Sequence, residues 1–425
     1  MYRIKKKKYI YLKEKGMRIL INNNLNALRI KLNRYKRRVD LRYSIYDAKH
    51  QDANISFVMP PQLKMIYQAT LGWCGKAVDA LADRLAFKRF DNDNFKLNDI
   101  FNLNNPDIFF DSAILSALIA SCSFVYISKD EEGKARLQVI EASNATGIID
   151  PITGLLKEGY AVLERDEQGN PLQEAHFLPN MTAYYIDGKA MARIPNPAGI
   201  PLLVPIIYRP DAVRPFGHSR ISRTCMYLQE HAKRTLERAD VTAEFYSFPQ
   251  KYVVGLSPDA ERVDKWKATV SSFLSFDKDM DGDSPKLGQF AQPSMSPFTE
   301  QLKTLASSFA GESGLTLDDL GFVTENPSSA EAIKASHETL RVTARKAQRC
   351  LGSGFLNIGY VARCAEDEKP YKRNEFYNTK PMWYPVFEPD ISALSNIGDA
   401  TIKINQAVEG YFDKDKLNDL TGLDM

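Results

Sequence analysis

The sequence has no long apolar stretch: nowhere do about eighteen hydrophobic residues follow one another, roughly the minimum for a membrane-spanning helix. Its first residues are basic but lack the apolar segment and cleavage site of a signal peptide. We therefore expect a protein without a membrane segment that is not secreted by that route. Hydrophobic residues still make up 44% of the 425 residues, enough to bury a substantial core in two or three domains.

Residues that ligate metals or act as nucleophiles are also scarce. The five cysteines show no CxxC spacing, which favours buried free thiols in a reducing compartment. The five histidines include no pair at metal-ligand spacing, so we predict neither a metal nor a cofactor. Cys225 lies between His218 and His231 in the chain, but it belongs to an apolar helical stripe, which favours core packing over a reactive thiol. We therefore predict no catalytic residue.

Positive charge is concentrated at one end of the chain. Residues 1–42 contain 15 Lys and Arg against two acidic residues, a net charge of +13, so residues 43–425 carry 3 − 13 = −10. Residues 25–38 have the spacing of a basic amphipathic helix. For this arm, a surface that is solvated or contacts another protein and direct DNA contact are both open. The first sixteen residues are interpreted as a flexible arm or as residues upstream of a start at Met17.

Two partial motifs fail on spacing. Residues 72–77 resemble a phosphate-binding loop, but Ala77 replaces the Mg-binding Ser or Thr and the stretch lies within a predicted helix. Asp277, Asp279 and Asp281 are spaced like the first ligands of a calcium loop, with glycine at the sixth position. The twelfth position is Gly288 where glutamate is required, so we favour a solvated acidic tip and keep calcium binding as the alternative.

Periodicity predicts a mixed α+β protein. Between residues 123 and 194, short β-rich runs alternate with turn residues, which predicts an antiparallel β module. Residues 196–215 are rich in proline, so we predict a linker or packed loop there. Residues 381–387 have the pattern of a return strand. Apolar residues at three-and-four spacing predict helices over residues 65–84, 105–121, 219–246, 296–311, 328–367, 391–406 and 414–420.

Two of these helices, 219–246 and 296–311, enclose a small insert. Within the insert, residues 251–254 and 287–290 are predicted to be partner strands, and a helix that opens at Ser257-Pro258 lies between them in sequence. The second enclosing helix is predicted to begin at Ser296, a capping residue followed by proline.

The longest helical pattern follows an acidic loop, residues 314–327. Ser328 and Glu331 have capping-box spacing, so a helix is predicted to begin there. One apolar stripe then continues for about eleven turns, which corresponds to a rod of roughly 60 Å at 1.5 Å per residue. Gly352 and Gly354 lie in its middle, where we predict a kink because glycine has a low helix propensity.

Taken in this order, several segments resemble the portal proteins, or head-to-tail connectors, of tailed bacteriophages. They are residues 72–84, Ile149-Asp-Pro-Ile-Thr-Gly154, Gly199-Ile-Pro201 with Pro215-Phe-Gly-His-Ser-Arg-Ile-Ser222, and Asn326-Pro-Ser-Ser-Ala-Glu-Ala-Ile333. The resemblance extends over nearly the full length from about residue 25. It implies a basic arm and helix (1–42), a wing (43–218), a first stem helix (219–246), a clip (247–295), a second stem helix (296–311), a tunnel loop (312–327), a kinked wing helix with its return strand (328–389) and a crown (390–425).

The resemblance implies a ring, expected to be dodecameric, around a DNA tunnel at one capsid vertex, which acts in genome packaging, retention and ejection and is not an enzyme. Double-stranded DNA, the terminase large subunit, a head-completion adaptor and the major capsid and scaffolding proteins are the implied partners, in the virion and, during assembly, in the host cytoplasm. The DNA-facing residues would be Leu317, Asp318, Asp319, Phe322, Val323, Glu325 and Asn326. The clip would dock its partners through Lys251, Trp266, Phe273, Asp277, Asp279 and Asp281.

The residue types agree with such a role, since a tunnel that moves DNA cannot hold phosphates strongly. Acidic and apolar side chains in the loop would guide the duplex without gripping it. For Asp318 and Asp319, an exposed loop or a helix cap is the alternative interpretation. For the whole chain, the alternative is a basic-armed nucleic-acid-binding scaffold that does not close into a ring, with an enzyme a distant third. The paired helices with an insert and the acidic body favour the ring.

Overall fold

The computed structural model describes residues 2–50, 68–247, 251–254, 286–289, 294–322, 335–387 and 391–421. The chain divides into two compact units. The first comprises Met1–His50, Gly72–Met226 and Gly311–Met425, and the second comprises Gln51–Leu71 and Tyr227–Ala310. The wing, stem, clip and crown boundaries implied by the resemblance stay predictions.

Nine α-helices lie in the described parts of the chain. They are α1 (Tyr2–Tyr46), α2 (Trp73–Ala82), α3 (Leu97–Asn102), α4 (Pro106–Ala120), α5 (Arg223–Ser247), α6 (Ser296–Ser313), α7 (Glu338–Glu366), α8 (Ile391–Ala407) and α9 (Lys414–Thr421). The helices predicted over 105–121, 391–406 and 414–420 are therefore confirmed as α4, α8 and α9. Within the described residues, no helix is both long and apolar enough to cross a membrane.

Twelve strands form four antiparallel sheets in the same parts of the chain. The strands are β1 (Phe87–Asp91), β2 (Cys122–Lys129), β3 (Ala135–Glu141), β4 (Ala145–Ile149), β5 (Leu156–Arg165), β6 (Pro171–Leu178), β7 (Met181–Ile186), β8 (Lys189–Pro195), β9 (Leu203–Ile207), β10 (Lys251–Val254), β11 (Lys286–Gln289) and β12 (Lys380–Trp383). The sheet orders are β1-β12, β10-β11, β3-β2-β9 and β4-β5-β6-β7-β8. The α+β fold class predicted from the sequence is confirmed.

The core of the first unit includes a cluster contributed by the three-stranded and five-stranded sheets. Phe124 of β2 and Leu203 of β9 belong to the same buried cluster as Leu156 of β5 and Phe177 of β6. Because alternate residues of a strand point to opposite faces, Tyr160 and Val162 of β5 face away from Ala161 and belong to a second buried cluster. The β module predicted for residues 123–194 is thus confirmed.

One strand contradicts the prediction of irregular structure over 196–215. β9 pairs with β2 from Leu203 to Ile207, with Pro205 opposite Phe124. β9 is the outer strand of its sheet, and an edge position tolerates proline because no ladder hydrogen bond is needed on the outward side. Proline content therefore misled the prediction.

Helix α1 is much longer than predicted. The pattern indicated a helix over 25–38 and a flexible arm before it, whereas one helix runs from Tyr2 to Tyr46. Its leucines 25, 28 and 32 are buried in a cluster with Tyr160 and Tyr185 of the five-stranded sheet. Packing nucleates the helix, and the Lys-rich residues before it extend it at little further cost.

Helix α7 follows the predicted stripe, but a turn at His337 separates it from the helical residues 335 and 336. Every described position of the stripe is buried: Leu340, Ala344, Ala347, Leu351, Phe355, Ile358 and Ala362. The helix begins at Glu338, after a turn at His337, and its 29 residues correspond to about 44 Å, shorter than the predicted rod. The prediction that one helix continues through His337 was therefore wrong. The predicted capping pair, Ser328 and Glu331, lies outside the described residues. Phe355 contacts Phe87, Phe110 and Trp383, which places α7 at the centre of an aromatic cluster.

Two helix starts also differ from the predictions. α2 begins at Trp73, since residues 68–72 are not helical and Gly72 precedes the first turn. α5 begins at Arg223 because Ser222 caps it, its hydroxyl accepting a hydrogen bond from the amide of Cys225 at 3.1 Å. The predicted start at Ser219 fails because that hydroxyl donates to the carbonyl of Ile119 at 2.6 Å.

Candidate functional site

The loop after α6 is closed by a reciprocal cap. The carboxylate of Asp319 accepts hydrogen bonds from the amide and the hydroxyl of Thr316, both at 2.9 Å. The Thr316 hydroxyl in turn accepts from the amide of Asp319 at 3.2 Å. This is capping-box geometry, and it begins the 3-10 turn Asp318–Leu320. Asp319 is thus a local cap, the alternative that the sequence left open.

The two carboxylates of this turn have different surroundings. Asp318 is exposed, whereas Leu317, Asp319 and Phe322 are half-buried. The other predicted DNA-facing residues, Val323, Glu325 and Asn326, lie outside the described residues. Asp318 is therefore the member of the acidic pair that can present charge to solvent.

The loop contacts the start of α7. Nδ1 of His337 lies 3.9 Å from a carboxylate oxygen of Asp319, too far for a hydrogen bond but within ion-pair range if the ring is protonated. Gly314 has a φ of +69°, and a Cβ there would approach the Thr339 methyl to 3.0 Å. Glycine is needed at this position both for the left-handed backbone and for the close approach.

A buried arginine fixes the point from which the loop departs. Arg220 is 8% exposed, and its Nε donates to the carbonyl of Ala77 in α2 at 3.1 Å. Its Nη2 donates to the carbonyl of Ser313, the last residue of α6. The amide of Arg220 also donates to Leu118 of α4 at 2.8 Å. One guanidinium therefore connects the segment before α5, the end of α6 and α2.

A second contact connects the same two helix ends. The hydroxyl of Ser222, the cap of α5, donates to the carboxylate of Glu312 at 2.8 Å. Residues 223–226 and 311–313 belong to the first unit, although most of each helix belongs to the second. The ends of the predicted stem helices are thus fixed by Arg220 and Ser222, two residues that sequence patterns did not single out.

The predicted clip is described only at its paired strands. Lys251 begins β10 and pairs with Gln289 of β11, which confirms the strand at 251–254 and places its partner at 286–289. Trp266, Phe273, Asp277, Asp279 and Asp281 lie outside the described residues, as does the partial calcium loop. A role of these residues in docking stays a prediction.

Both glycines of the predicted kink lie inside the continuous helix α7, and the kink itself stays a prediction. A Cβ at Gly352 would come within 2.7 Å of the Pro381 side chain, and one at Gly354 within 3.4 Å of the Ile206 backbone. Close packing of β12 and β9 against α7 therefore gives these glycines a second reason to be present.

Several basic residues of α1 are engaged with the body of the first unit. Arg29 donates to Glu174 of β6 from Nε at 2.9 Å, Lys31 donates to the carbonyl of Gly147 at 2.6 Å, and Arg42 donates to the carbonyl of Ala120 at 2.9 Å. These three cations are not available for DNA contact in this arrangement.

The same helix covers a buried polar cluster that sequence analysis missed. Tyr160 donates to Glu174, and burial, followed by the neighbouring Glu174, raises the pKa of Tyr160. Nε2 of His176, whose side chain is fully buried, lies 2.6 Å from a carboxylate oxygen of Glu158. Burial lowers the pKa of His176 in spite of this carboxylate. These polar residues occupy alternate positions on one face of β5 and β6. Their burial could not be predicted from the sequence, because it results from the helix α1 that covers this face.

Another missed feature is a basic stripe on the exposed face of α7. Arg341, Arg345 and Arg349 follow one another at four-residue spacing, and Lys346 lies beside them. Arg341 pairs with Glu338 at 2.6 Å. The four-residue spacing can be seen in the sequence, but only the structure shows that this side of α7 faces solvent.

No constellation of catalytic or metal-binding groups appears in the described parts of the chain. These parts contain no group of three or more His, Cys, Asp or Glu able to hold a metal. All five cysteines are free. Burial raises the pKa of Cys122 to about 12 and also raises that of Cys225, so both remain thiols. His218, one candidate partner of Cys225, lies 2.5 Å from Asp211.

Comparison with known proteins identifies two curated relatives. The chain is 24% identical over 400 residues to the portal protein of Mycobacterium phage L5, and 27% identical over 401 residues to the portal protein of Mycobacterium phage D29. Each match covers 88% of this chain and 80% of the relative. No family model matches the chain.

Two solved structures are similar at lower levels. One is a chain of the virion of the native gene transfer agent (GTA) particle, with 13% identity, a TM-score of 0.44, and coverage of 90% of this chain and 99% of that chain. The other is from the neck of the native GTA particle computed with C12 symmetry, with 13% identity, a TM-score of 0.45, and coverage of 86% and 93%. Because these TM-scores lie below 0.5, no functional argument rests on them.

The fold and the site define a class of mixed α+β protein in which two long helices enclose a strand-bearing insert and are joined by an acidic, capped loop to a third helix. Within that class, the two curated relatives show which known proteins the chain resembles in sequence. Over 88% of its length the chain is similar in sequence to the portal proteins of two mycobacteriophages, which confirms the resemblance predicted from its motifs.

Proposed function

We propose that copies of this chain close into a ring that forms a DNA channel at one capsid vertex, through which a phage genome is packaged, retained and ejected. The observation that carries the proposal is the similarity, over 88% of the chain, to two proteins named portal protein. The ring is expected to contain twelve copies. The chain is proposed to act as a conduit and docking platform without catalysing a reaction.

The helix pair supports the assignment of parts. α5 and α6 flank an insert whose two described strands, β10 and β11, form an antiparallel pair. In the proposal, these helices are the stem and the insert is the clip, which docks the terminase large subunit and later a head-completion adaptor. The remaining contacts of the ring would be with major capsid and scaffolding proteins, in the virion and in the host cytoplasm during assembly.

The proposed wall chemistry centres on Asp318. The cap between Asp319 and Thr316 holds the turn, and the exposed Asp318 is repeated once per copy around a ring. A ring of carboxylates repels phosphates and so disfavours strong binding of the moving duplex. Because Asp319 also supports the turn, the lubricating role is best tested at Asp318 alone: Asp318→Lys should slow packaging, and an unchanged length of packaged DNA would count against the role.

Electron microscopy of the purified full chain tests the proposal directly. Closed rings with a central hole are expected, and their symmetry gives the number of copies. Monomers or open filaments at the concentrations of assembly would overturn it. An ATPase assay on the same sample should give no turnover, and robust hydrolysis by this chain alone would contradict a non-catalytic role.

The alternative, a basic-armed scaffold that coats nucleic acid, gains no support from α1. Arg29, Lys31 and Arg42 are held by the protein itself, so the arm has fewer free cations than its sequence suggests. Filaments along DNA, in micrographs of the chain mixed with a DNA duplex, would favour the scaffold.

A further inference from the structure

The exposed face of α7 carries positive charge that the described parts of the chain do not neutralise. Arg345, Lys346 and Arg349 are exposed, and among the described residues they form no ion pair. Arg341, one turn earlier, is already paired with Glu338. The apolar side chain of Val342 is 42% exposed beside them. The surface formed by residues 342, 345, 346 and 349 is called here the basic surface.

Helix α4 of the same unit carries the opposite combination. Asp107 and Asp111 are exposed and make no ion pair with any described residue. Burial, followed by the nearby carboxylates of Asp107 and Asp83, raises the pKa of Asp111. Between them, Ile108 is 67% exposed. Residues 107, 108 and 111 are called here the acidic surface.

The two surfaces match in spacing as well as in sign. Asp107 and Asp111 are four residues apart on a helix, and so are Arg345 and Arg349, which separates each pair by about 6 Å along its axis. Two helices laid side by side can therefore form both ion pairs at once. Ile108 and Val342 add apolar contact area beside the ion pairs, which the ion pairs alone would not provide.

A ring needs two different complementary surfaces on every copy. A head-to-tail interface joins one patch of a subunit to another patch of its neighbour, and it closes into a ring when the rotation permits. Within one copy, both surfaces belong to the same compact unit, and no described residue forms an ion pair with either of them. A second copy can satisfy them without any change in either.

We propose that the basic surface of one copy docks on the acidic surface of the next copy, through Arg345 and Arg349 against Asp107 and Asp111. The inference rests on the proposed ring and names the surfaces that close it. Duplex DNA is the other polyanion that a basic stripe could bind. It is disfavoured because it explains neither the acidic surface nor the exposed Ile108 and Val342.

Charge reversal tests the pairing. The double variants Arg345→Glu with Arg349→Glu, and Asp107→Lys with Asp111→Lys, place like charges opposite each other. Each should lower the fraction of chains in rings by at least roughly tenfold, as measured by native mass spectrometry and electron microscopy at moderate salt. Combining the four substitutions in one chain restores opposite charges and should return ring formation to within about threefold of the parent.

Matched controls are available on exposed residues of the same unit. Lys189→Glu with Arg193→Glu reverses two cations of the edge strand β8, and Glu131→Lys with Glu132→Lys reverses two anions of a hairpin tip. Both control variants should form rings as the parent does. Thermal unfolding of every variant checks the fold, and the neutral pair Arg345→Gln with Arg349→Gln replaces the Arg345 and Arg349 reversal if that variant fails to fold.

The outcomes separate the inference from the proposed function. If the parent forms no rings, the ring proposal fails. If the parent and both reversal variants form rings equally, or if the fourfold variant fails to recover, the inference is overturned. If the Arg345 and Arg349 reversal leaves rings intact but weakens binding to a short DNA duplex at least tenfold, the basic surface is a DNA surface and the inference is also overturned.

Discussion

Replacing Arg220 by alanine should be among the most damaging single changes outside the hydrophobic core. Its guanidinium bridges the carbonyls of Ala77 and Ser313 at a site that is 8% exposed. A hydrogen bond from a charged donor contributes about 1.5–3 kcal/mol, and both carbonyls would remain buried after losing this donor. Losing both bonds while removing one buried charge should cost about 3–4 kcal/mol of unfolding free energy.

Urea unfolding measures this loss. With a slope of roughly 3 kcal/mol per molar urea for a unit of this size, the midpoint should fall by about 1 M. Trp73, in the same helix as Ala77 and buried, reports the local change by fluorescence. Arg223→Ala, three residues away and exposed, is the control and should shift the midpoint by no more than about 0.2 M, since exposed substitutions cost under about 0.5 kcal/mol.

Arg220→Lys refines the test. Lysine has a single compact ammonium and lacks the planar fork that reaches two carbonyls at once, so it should recover less than about half of the lost stability. Equal midpoints for the parent and Arg220→Ala would refute the claim that this residue fixes the ends of α5 and α6. Full recovery by lysine would refute the claim that bridging is what matters.

Three further predictions concern the backbone, pH and the loop. Gly217→Ala should cost more than about 3 kcal/mol or prevent folding, because φ is +75° and a Cβ would lie 2.1 Å from the carbonyl oxygen of Tyr208; soluble yield and urea midpoints measure this. Burial holds the pKa of His176 below its ordinary 6.5, so the unfolded chain binds more protons and stability falls as pH drops below about 6.5. His176→Gln should reduce this dependence on pH, as measured by thermal midpoints at about pH 7.5 and 5.5. A decrease in midpoint between these two pH values as large as the parent's would contradict the prediction. Asp319→Ala, which removes a cap, should cost about 1 kcal/mol, whereas the exposed Asp318→Ala should cost under about 0.5 kcal/mol in the same thermal assay.

Features set by local chemistry could be predicted from the sequence. The start of α6 at Ser296 and the strand at 251–254 match their predicted positions, because a capping residue before proline and a short β-branched run act through neighbouring residues. The buried stripe of α7 was equally readable, since its spacing is a property of the helix alone.

Features set by distant partners could not be predicted in this way. β9 is a strand only because β2 is available to pair with it, and α1 is long only because its leucines are covered by the five-stranded sheet. A buried arginine such as Arg220 has the same sequence signature as an exposed one, so its role emerges only from the carbonyls around it.

The candidate loop lies between these cases. The Thr316–Asp319 spacing is a readable capping signal, and the sequence left a cap open for the acidic pair without deciding which carboxylate serves. Solvent exposure distinguishes Asp318 from Asp319, and this exposure depends on how the loop packs against His337 and the start of α7.

The pairing of β1 with β12 has a consequence for synthesis. Asp91 lies opposite Lys380, so β1, the first strand in the sequence, receives its partner only when most of the polypeptide has left the ribosome. Until then Phe87 lacks Trp383, and the surrounding rings stay open to solvent and to the nascent chains of neighbouring ribosomes. The aromatic cluster around β1 is therefore completed only when translation is nearly finished.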